Sequence, residues 1–368
     1  MNNNKGENMD NLKKLGLSAL AGSLVAVSAQ AGEIAVSGSA NVTYKTGADN
    51  SGKAIGTDKD VAFTGSGELD NGWSFTVSTL LDDSMAVSSS YTSLTMGSMG
   101  TVSFGTDTGG ASYKYDEEVP QAYEQTSDAQ QNSANKVGDQ MDSNMIVYNA
   151  PAMDIMGATV SVDLEYSPDA HGSGQNDGSD GSANYSNTYG SGMGMGVTVS
   201  YDALTLGAYG AEIENIVPAT ANGSGVDDHR DVFDGVWFAK YSFGPVSIGY
   251  SESYLDQGLI GTAEATTAAK VVRTAAGVFE SDSMSIAFNV NDDISISYTE
   301  TDDTYDAQAN AAGADGVDDV TMSTEALQVA YSMGAMSIKA YNMETTNPGY
   351  DSNAVKKSIS EIALGLSF

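Results

Sequence analysis

Carboxylates dominate the side chains of this sequence that could do chemistry. The 368 residues include 49 Asp and Glu against 15 Lys and Arg, a formal net charge of −34. Carboxylates that line a narrow, water-filled passage concentrate negative potential and attract cations. Residues 106–143 are the longest stretch rich in such groups, and their candidates for a cation-attracting rim are Asp107, Asp116, Glu117, Glu118 and Glu124. The alternative is an acidic surface loop in contact with solvent.

The composition argues against several classes of function. Cysteine is absent, which excludes disulfides, thiolate catalysis and Cys-ligated metals. The two histidines, His171 and His229, fall in predicted loops with no recognisable Ser or Asp partner, so a barrel protease or lipase is a poor fit. The strong negative charge would repel the phosphates of a nucleic acid. We therefore predict no catalysis and no nucleic-acid partner.

Two acidic segments could attract divalent cations. Residues 174–182 and 302–319 carry Asp and Asn at alternating spacing, and these side chains supply the hard oxygen ligands that Ca²⁺ and Mg²⁺ prefer. The twelve-residue EF-hand pattern fails because no Glu stands at its closing position. We predict no cofactor and no defined metal site, but nonspecific binding of Ca²⁺ or Mg²⁺ at these acidic loops.

The N-terminus has the pattern of a secretory signal peptide. Lys13 and Lys14 precede an apolar stretch, residues 15–27, and Ala29-Gln30-Ala31 follows as a cleavage site. This predicts a signal peptide over 1–31 and a mature chain over 32–368, with Met9 as an alternative start. The other interpretation is an amphipathic helix of the mature fold.

The mature sequence alternates apolar and polar residues with period two, which is typical of strands. In 156–166, for example, Val160, Val162 and Leu164 alternate with Ser161 and Asp163. Tight turns and longer polar loops follow one another in alternation between the strands. The pattern predicts sixteen strands: 33–45, 60–68, 73–81, 87–95, 101–105, 144–150, 156–166, 193–201, 204–212, 234–242, 246–254, 271–290, 293–300, 323–331, 336–342 and 356–368.

Sixteen strands in an up-and-down meander favour a closed barrel, because an open sheet of this size would leave two exposed edges. Such a barrel is too wide for side chains to fill, so the apolar face must point outward into lipid. We therefore predict an all-β, transmembrane, antiparallel barrel. The alternative is an extracellular β-sandwich or β-solenoid, although no fixed-period repeat supports a solenoid.

Two predicted strands do not alternate cleanly. In 87–95, Val87 and Leu94 fall on opposite faces, which a β-bulge would explain. In 144–150, the pair Met145 and Val147 competes with Ile146 and Tyr148 for the apolar face.

Four features of the sequence occur in a set order. The signal peptide ends in AQA before a strand of small residues, the longest loop (106–143) follows the fifth strand and returns through IVYNAP (146–151), and the chain ends in LGLSF with Phe368. Together these features resemble the general porins of Gram-negative bacteria. The resemblance implies a sixteen-stranded barrel with short periplasmic turns and long extracellular loops. It also implies an outer-membrane homotrimer in contact with outer-membrane lipid, in which loop 106–143 narrows the pore and the barrel-assembly machinery recognises Phe368.

One departure concerns the basic side of the pore. Such porins usually line the wall opposite the loop with arginines from early strands, but residues 60–113 contain no Lys or Arg. The basic residues whose alternation points them into the lumen are Lys45, Lys240 and Lys339. They are candidates for the cationic side of the constriction, or else scattered lumen charges.

The sequence thus predicts a porin that lets small hydrophilic solutes and ions diffuse passively, with a preference for cations. The alternative is a substrate-specific porin, or an adhesin-like barrel whose acidic loops bind a ligand.

Overall fold

A computed structural model describes residues 33–47, 53–106, 110–129, 132–134, 136–141, 145–170, 189–216, 231–256, 258, 278–306 and 319–368. The predicted signal peptide, both histidines, Asp107 and the acidic segment 174–182 lie outside these residues. None of the helices in the described ranges has both the length and the apolar character to cross a bilayer.

The described residues form one closed antiparallel sheet. Strands that follow one another along the chain pair with each other, except at one interrupted strand, and the last strand pairs with the first. The strands are β1 (Glu33–Thr46), β2 (Lys53–Glu68), β3 (Ser74–Leu81), β4 (Val87–Thr95), β5 (Thr101–Thr106), β6 (Met145–Asn149), β7 (Met153–Ile155), β8 (Ala158–Ser167), β9 (Tyr189–Tyr201), β10 (Leu204–Asn215), β11 (Val232–Phe243), β12 (Val246–Asp256), β13 (Val278–Asn289), β14 (Ile294–Asp306), β15 (Val320–Met333), β16 (Met336–Thr346) and β17 (Lys357–Ser367).

The barrel has sixteen strands, as predicted, because β6 and β7 are two parts of one strand. Both pair with β8, and the interruption between them contains Pro151, which has no amide hydrogen to donate to a ladder. The tight turn that follows is Met156–Gly157, with φ of 56° and 87°. Our prediction of a turn at 151–155 was therefore wrong. A two-residue hairpin turn of this kind normally carries Asn or Asp rather than Met at its first position.

The bulge predicted in the fourth strand is confirmed. The register between β3 and β4 shifts by one residue, since Leu80 pairs with Ser89 while Leu81 pairs with Val87. The extra residue brings Val87 and Leu94 to the same outward face. In β6, Ile146 and Tyr148 face outward, while Met145 and Val147 face inward and are buried.

The outward face is apolar over the half of the barrel near the tight turns. Cross-strand neighbours there are alike: Ile248 lies opposite Ile286, which in turn lies opposite Tyr298. All three side chains are exposed in the isolated chain. A band of this kind is stable only against lipid.

Toward the long loops, strands β10 to β16 reverse this pattern. The outward residues become acidic, as with Glu212, Glu252 and Asp302, while inward residues such as Ile213 and Leu255 are apolar and fully buried. These strands run further than predicted, for example to Asp306 in β14 instead of residue 300. The extra residues have the composition of a loop because the barrel wall there faces water outside and a packed core inside.

Cysteine labelling tests which residues face the water-filled lumen. In the Cys-free chain reconstituted in lipid vesicles, we expect Asn41→Cys and Ser93→Cys to react with a water-soluble maleimide and Val42→Cys and Leu94→Cys to stay unlabelled. Ser285→Cys should react slowly although it points inward, because Pro120 covers Ser285. Equal labelling on both faces would contradict the barrel.

Candidate functional site: the loop inside the barrel

The segment between β5 and β6 lies inside the barrel. Its first part is bound to the inner face of strand β8. The amide of Ala111 donates to Glu165 Oε2 at 2.6 Å, and the Tyr115 hydroxyl donates to Asp163 Oδ2 at 2.8 Å. Lys114 Nζ forms an ion pair with Asp163 Oδ1 at 2.8 Å. Both carboxylates are buried and point into the lumen. We call the described residues 110–129, 132–134 and 136–141 the lumen loop.

The middle of the lumen loop is bound mainly by one side chain, Gln328 of β15. Its Oε1 accepts the amides of Tyr123 and Glu124 at 2.7 and 3.1 Å, and its Nε2 donates to the carbonyl of Glu124 at 2.6 Å. The Ala122 amide donates to Ser297 Oγ on β14 at 2.9 Å. Four backbone groups without a regular partner are thereby satisfied.

The returning half of the lumen loop is held by two more buried carboxylates. Ser133 donates to Asp303 of β14 through its amide and, at 2.7 Å, through its hydroxyl. Tyr350, in the segment before β17, donates to the same carboxylate at 2.6 Å. The Gly138 amide donates to Asp234 of β11 at 3.1 Å.

Two inward glycines of β9 make room for the lumen loop. A Cβ at Gly196 would overlap the ring of Tyr115, and one at Gly192 would lie 2.5 Å from the sulfur of Met141. Tyr115 also stacks on Tyr209 with ring centroids 5.6 Å apart. In the sequence of β9, glycine alternates with the outward Met193 and Met195. This alternation places bulk on the lipid side and leaves space on the lumen side.

The acidic residues predicted for the rim have different environments. Burial, together with Glu117 and Glu118, raises the pKa of Asp116 to about 8, so this side chain is mostly uncharged at neutral pH. Glu117 is buried and accepts the Thr126 amide and the Ser127 hydroxyl, each at 2.7 Å, which ties the lumen loop to itself.

Glu118 forms an ion pair with Lys240 of β11, and Glu124 is held through its backbone. The structure thus brings four of the predicted rim residues into the lumen. Their side chains do not line one shared, solvent-exposed surface.

The three predicted lysines point inward. Lys45 forms an ion pair with Glu361 of β17 at 3.5 Å, and the Tyr123 hydroxyl donates to the same carboxylate at 2.8 Å. Lys339 lies 5.1 Å from the centre of the Tyr123 ring. Lys45, through Glu361, and Lys339 are therefore both placed near Tyr123 in the middle of the lumen loop, whereas Lys240 pairs with Glu118.

Sequence reasoning missed the residues that hold the lumen loop. Period-two alternation placed Asp163 and Glu165 on the lumen face, but it could not say which loop atom each would meet. Gln328 and Glu361 carried no signal beyond the same alternation. Their partners are loop backbone atoms or loop side chains far away in sequence.

No group of three or more Asp, Glu or His side chains in the described ranges is arranged to hold a metal ion. Residues 307–318 of the second acidic segment lie outside those ranges, and residues 302–306 belong to β14. Nonspecific Ca²⁺ or Mg²⁺ binding therefore stays a prediction.

In the described part of the chain, the lumen loop leaves much of the wall from β1 to β5 uncovered, and we call this side the open wall. The bonds described above end on β8, β11, β14, β15 and β17, so the lumen loop lies against one side of the barrel. Inward residues of the other side, including Asn41, Asp58 and Tyr91, are partly or fully exposed. Among the described residues, the space left inside the barrel lies between the lumen loop and the open wall.

The packing of Tyr115 on Gly196 of β9 can be tested by adding a methyl group at this glycine. We expect Gly196→Ala to displace Tyr115 and shift the lumen loop, changing single-channel conductance by more than about twofold, because interiors packed this closely cannot absorb an added methyl group. The matched control is Gly210→Ala on β10, where the nearest atom to the added Cβ is 3.8 Å away. Identical conductance in both variants would contradict close packing of Tyr115 on β9.

Comparisons with known protein families and with solved structures agree with the barrel fold described above. Residues 16–368 match the family model for Gram-negative porins. No curated protein matches the chain. The Salmonella typhi OmpF complex with daunomycin has a TM-score of 0.64 at 13% identity, covering 92% of this chain and 98% of that one.

Two further solved structures have the same fold. Outer-membrane expressed OmpT of Vibrio cholerae has a TM-score of 0.60 at 15% identity, covering 93% and 99% of the two chains. A mutant of the Rh. blastica porin gives 0.52 at 14% identity, covering 91% and 100%. These likenesses show the shared barrel, and the family match extends over nearly the whole sequence. The chain therefore belongs to the Gram-negative porin family and is a barrel of the bacterial outer membrane.

Proposed function

We propose that this porin lets small hydrophilic solutes and ions diffuse passively across the outer membrane. The observation that carries the proposal is the position of the lumen loop. In the described residues, the bonds given above join it to one side of the barrel, and inward side chains of the open wall such as Asn41 and Asp58 are partly or fully exposed. A barrel filled by its own loop on all sides would not conduct.

We further propose that the pore prefers cations. Support comes from the excess of acidic residues and from the absence of Lys and Arg between residues 60 and 113. The constriction would be formed by Asp116, Glu118 and Glu124 of the lumen loop with Lys45, Lys240 and Lys339 of the wall, and by Asp107, which lies outside the described residues. Glu117 belongs to the same loop as a buried structural residue.

Passive diffusion needs no catalytic group, and we propose none. The alternative from the sequence, a substrate-specific or adhesin-like barrel, depends on the acidic loops, most of which lie outside the described residues. The lumen offers direct support only for the pore.

Assembly as a homotrimer is part of the proposal. One of the solved structures with this fold is described as the trimer form of Vibrio cholerae OmpT, at 14% identity and a TM-score of 0.59. We also propose that the assembly machinery recognises Phe368. The Phe368 amide and the carbonyl of Gly38 pair at 3.0 Å, as do the Gly38 amide and the Phe368 carbonyl, so the terminal residue also helps to join β17 to β1.

The proposed function predicts measurable conductance. We expect the purified chain, inserted into planar bilayers, to give discrete conductance steps, and its reversal potential in a KCl gradient to show preference for K⁺ over Cl⁻. The preference should weaken as the salt concentration rises, since the Debye length shortens to about 3 Å at 1 M. Absence of any conductance from well-folded protein would disprove the pore, and a preference for Cl⁻ would disprove the electrostatic part.

Deletion of Phe368 tests assembly. We expect the deleted chain to give several-fold less heat-modifiable trimer in outer membranes, because it loses both the terminal ring and two backbone hydrogen bonds across the closure. Phe368→Tyr keeps the backbone and an aromatic ring and serves as the control. Normal trimer yield after the deletion would show that the terminal residue is dispensable.

A further inference from the structure

Two carboxylates on the open wall have no cation of the described residues placed against them. We infer that Asp58 and Asp60 of β2, and not the carboxylates of the lumen loop, supply most of the charge by which the pore selects cations. This inference rests on the proposed pore function and names the residues that set its selectivity.

The register of the first two strands fixes where these side chains point. Asp58 lies opposite Asn41 and Asp60 lies opposite Ser39, both inward residues of β1. Asp58 is exposed, and Asp60 is partly exposed with the Ser39 hydroxyl 3.4 Å away. Both therefore face the passage between the lumen loop and β1–β5.

Five lysines inside the barrel are already matched by other groups. Four form ion pairs: Lys45 with Glu361 at 3.5 Å, Lys114 with Asp163 at 2.8 Å, Lys136 with Asp139 at 3.2 Å, and Lys240 with Glu118. Lys339 lies over the ring of Tyr123, beside Glu124 in sequence. The fields of these paired groups largely cancel for an ion that passes at a distance.

The lumen loop contributes less charge than its sequence suggests. Glu117 is buried against Thr126 and Ser127, so it does not face the passage. Glu118 is neutralised by Lys240. The raised pKa of Asp116 leaves that side chain largely uncharged at neutral pH.

The described residues place no cation against Asp58 or Asp60. Lys59 lies between them in sequence, but it pairs with Ala40 on the outward face of β1. Lys53 pairs with Thr46 and is outward as well. Alternate residues of a strand are about 7 Å apart, and the Debye length is about 8 Å at physiological ionic strength. An ion passing this wall therefore experiences both carboxylates together.

Reversal potentials of three double variants test the inference. We expect Asp58→Asn with Asp60→Asn to lower the K⁺ to Cl⁻ permeability ratio by about threefold at 0.1 M KCl, as two unit charges within a Debye length of the ion imply. The charge reversal, Asp58→Lys with Asp60→Lys, should make the pore prefer Cl⁻. Asp292→Asn with Asp293→Asn, in an exposed tight turn, removes the same charge and should change the ratio little.

A loop variant, Asp116→Asn with Glu118→Gln, separates the two possible sources of selectivity. We expect it to change the ratio less than the β2 pair does. If the loop variant abolishes the cation preference while the β2 variant leaves it unchanged, the inference is overturned and the pore stands. If the wild type gives no conductance, the proposed function itself fails. Heat-modifiable migration and unchanged unitary conductance of the Asn variants confirm that the barrel has folded.

Discussion

An irregular segment inside a barrel must find partners for its backbone amides, and this constraint shapes the whole lumen. A buried backbone group without a partner costs about 1–3 kcal/mol, so the lumen loop is stable only where the wall supplies acceptors. Here the wall supplies the carboxylates of Glu165, Asp234 and Asp303 and the side-chain oxygen Oε1 of Gln328. Since these acceptors lie on β8, β11, β14 and β15, they also decide on which side of the barrel the water-filled passage remains.

The polarity of the two faces of the barrel wall changes along the barrel axis. Near the tight turns the wall is apolar outside and polar inside, as lipid and a wet lumen require. Near the long loops Ile213, Leu255 and Phe279 point inward and pack in one cluster with Tyr115 and Met141 of the lumen loop. That part of the barrel resembles a soluble protein, with charge outside and a core inside. The lumen loop is thus held by burial of apolar surface as well as by hydrogen bonds.

Much of this fold could be predicted from period-two alternation, because each strand must separate two solvents. Val160, Ile286 and Ile362 fall on the outward face for that reason. Strand ends were predicted poorly where the two faces exchange polarity, as in β14, and where both faces are polar. Asp58, in the run Thr57-Asp58-Lys59-Asp60, was assigned to a loop, although it belongs to β2.

The sequence was sufficient to predict which segment and which lysines lie inside the barrel. It was not sufficient to predict which side chains contact each other there. The length and position of residues 106–143 indicated a segment inside the barrel, and alternation indicated that Lys45, Lys240 and Lys339 point inward. Which charges cancel depends on pairs distant in sequence, such as Glu118 with Lys240 and Lys45 with Glu361. No local pattern contains that information.

The one-sided attachment of the lumen loop divides the barrel into two regions under different constraints. Substitutions on β8–β17 must preserve the fit of Tyr115, Gln328 and Asp303, so most of them will cost folding free energy. On the open wall, inward side chains such as Asn41, Asp58 and Tyr91 are partly or fully exposed, and charge at such positions can change at little cost to the fold. Permeation can therefore evolve on one half of the circumference while the other half keeps the architecture intact.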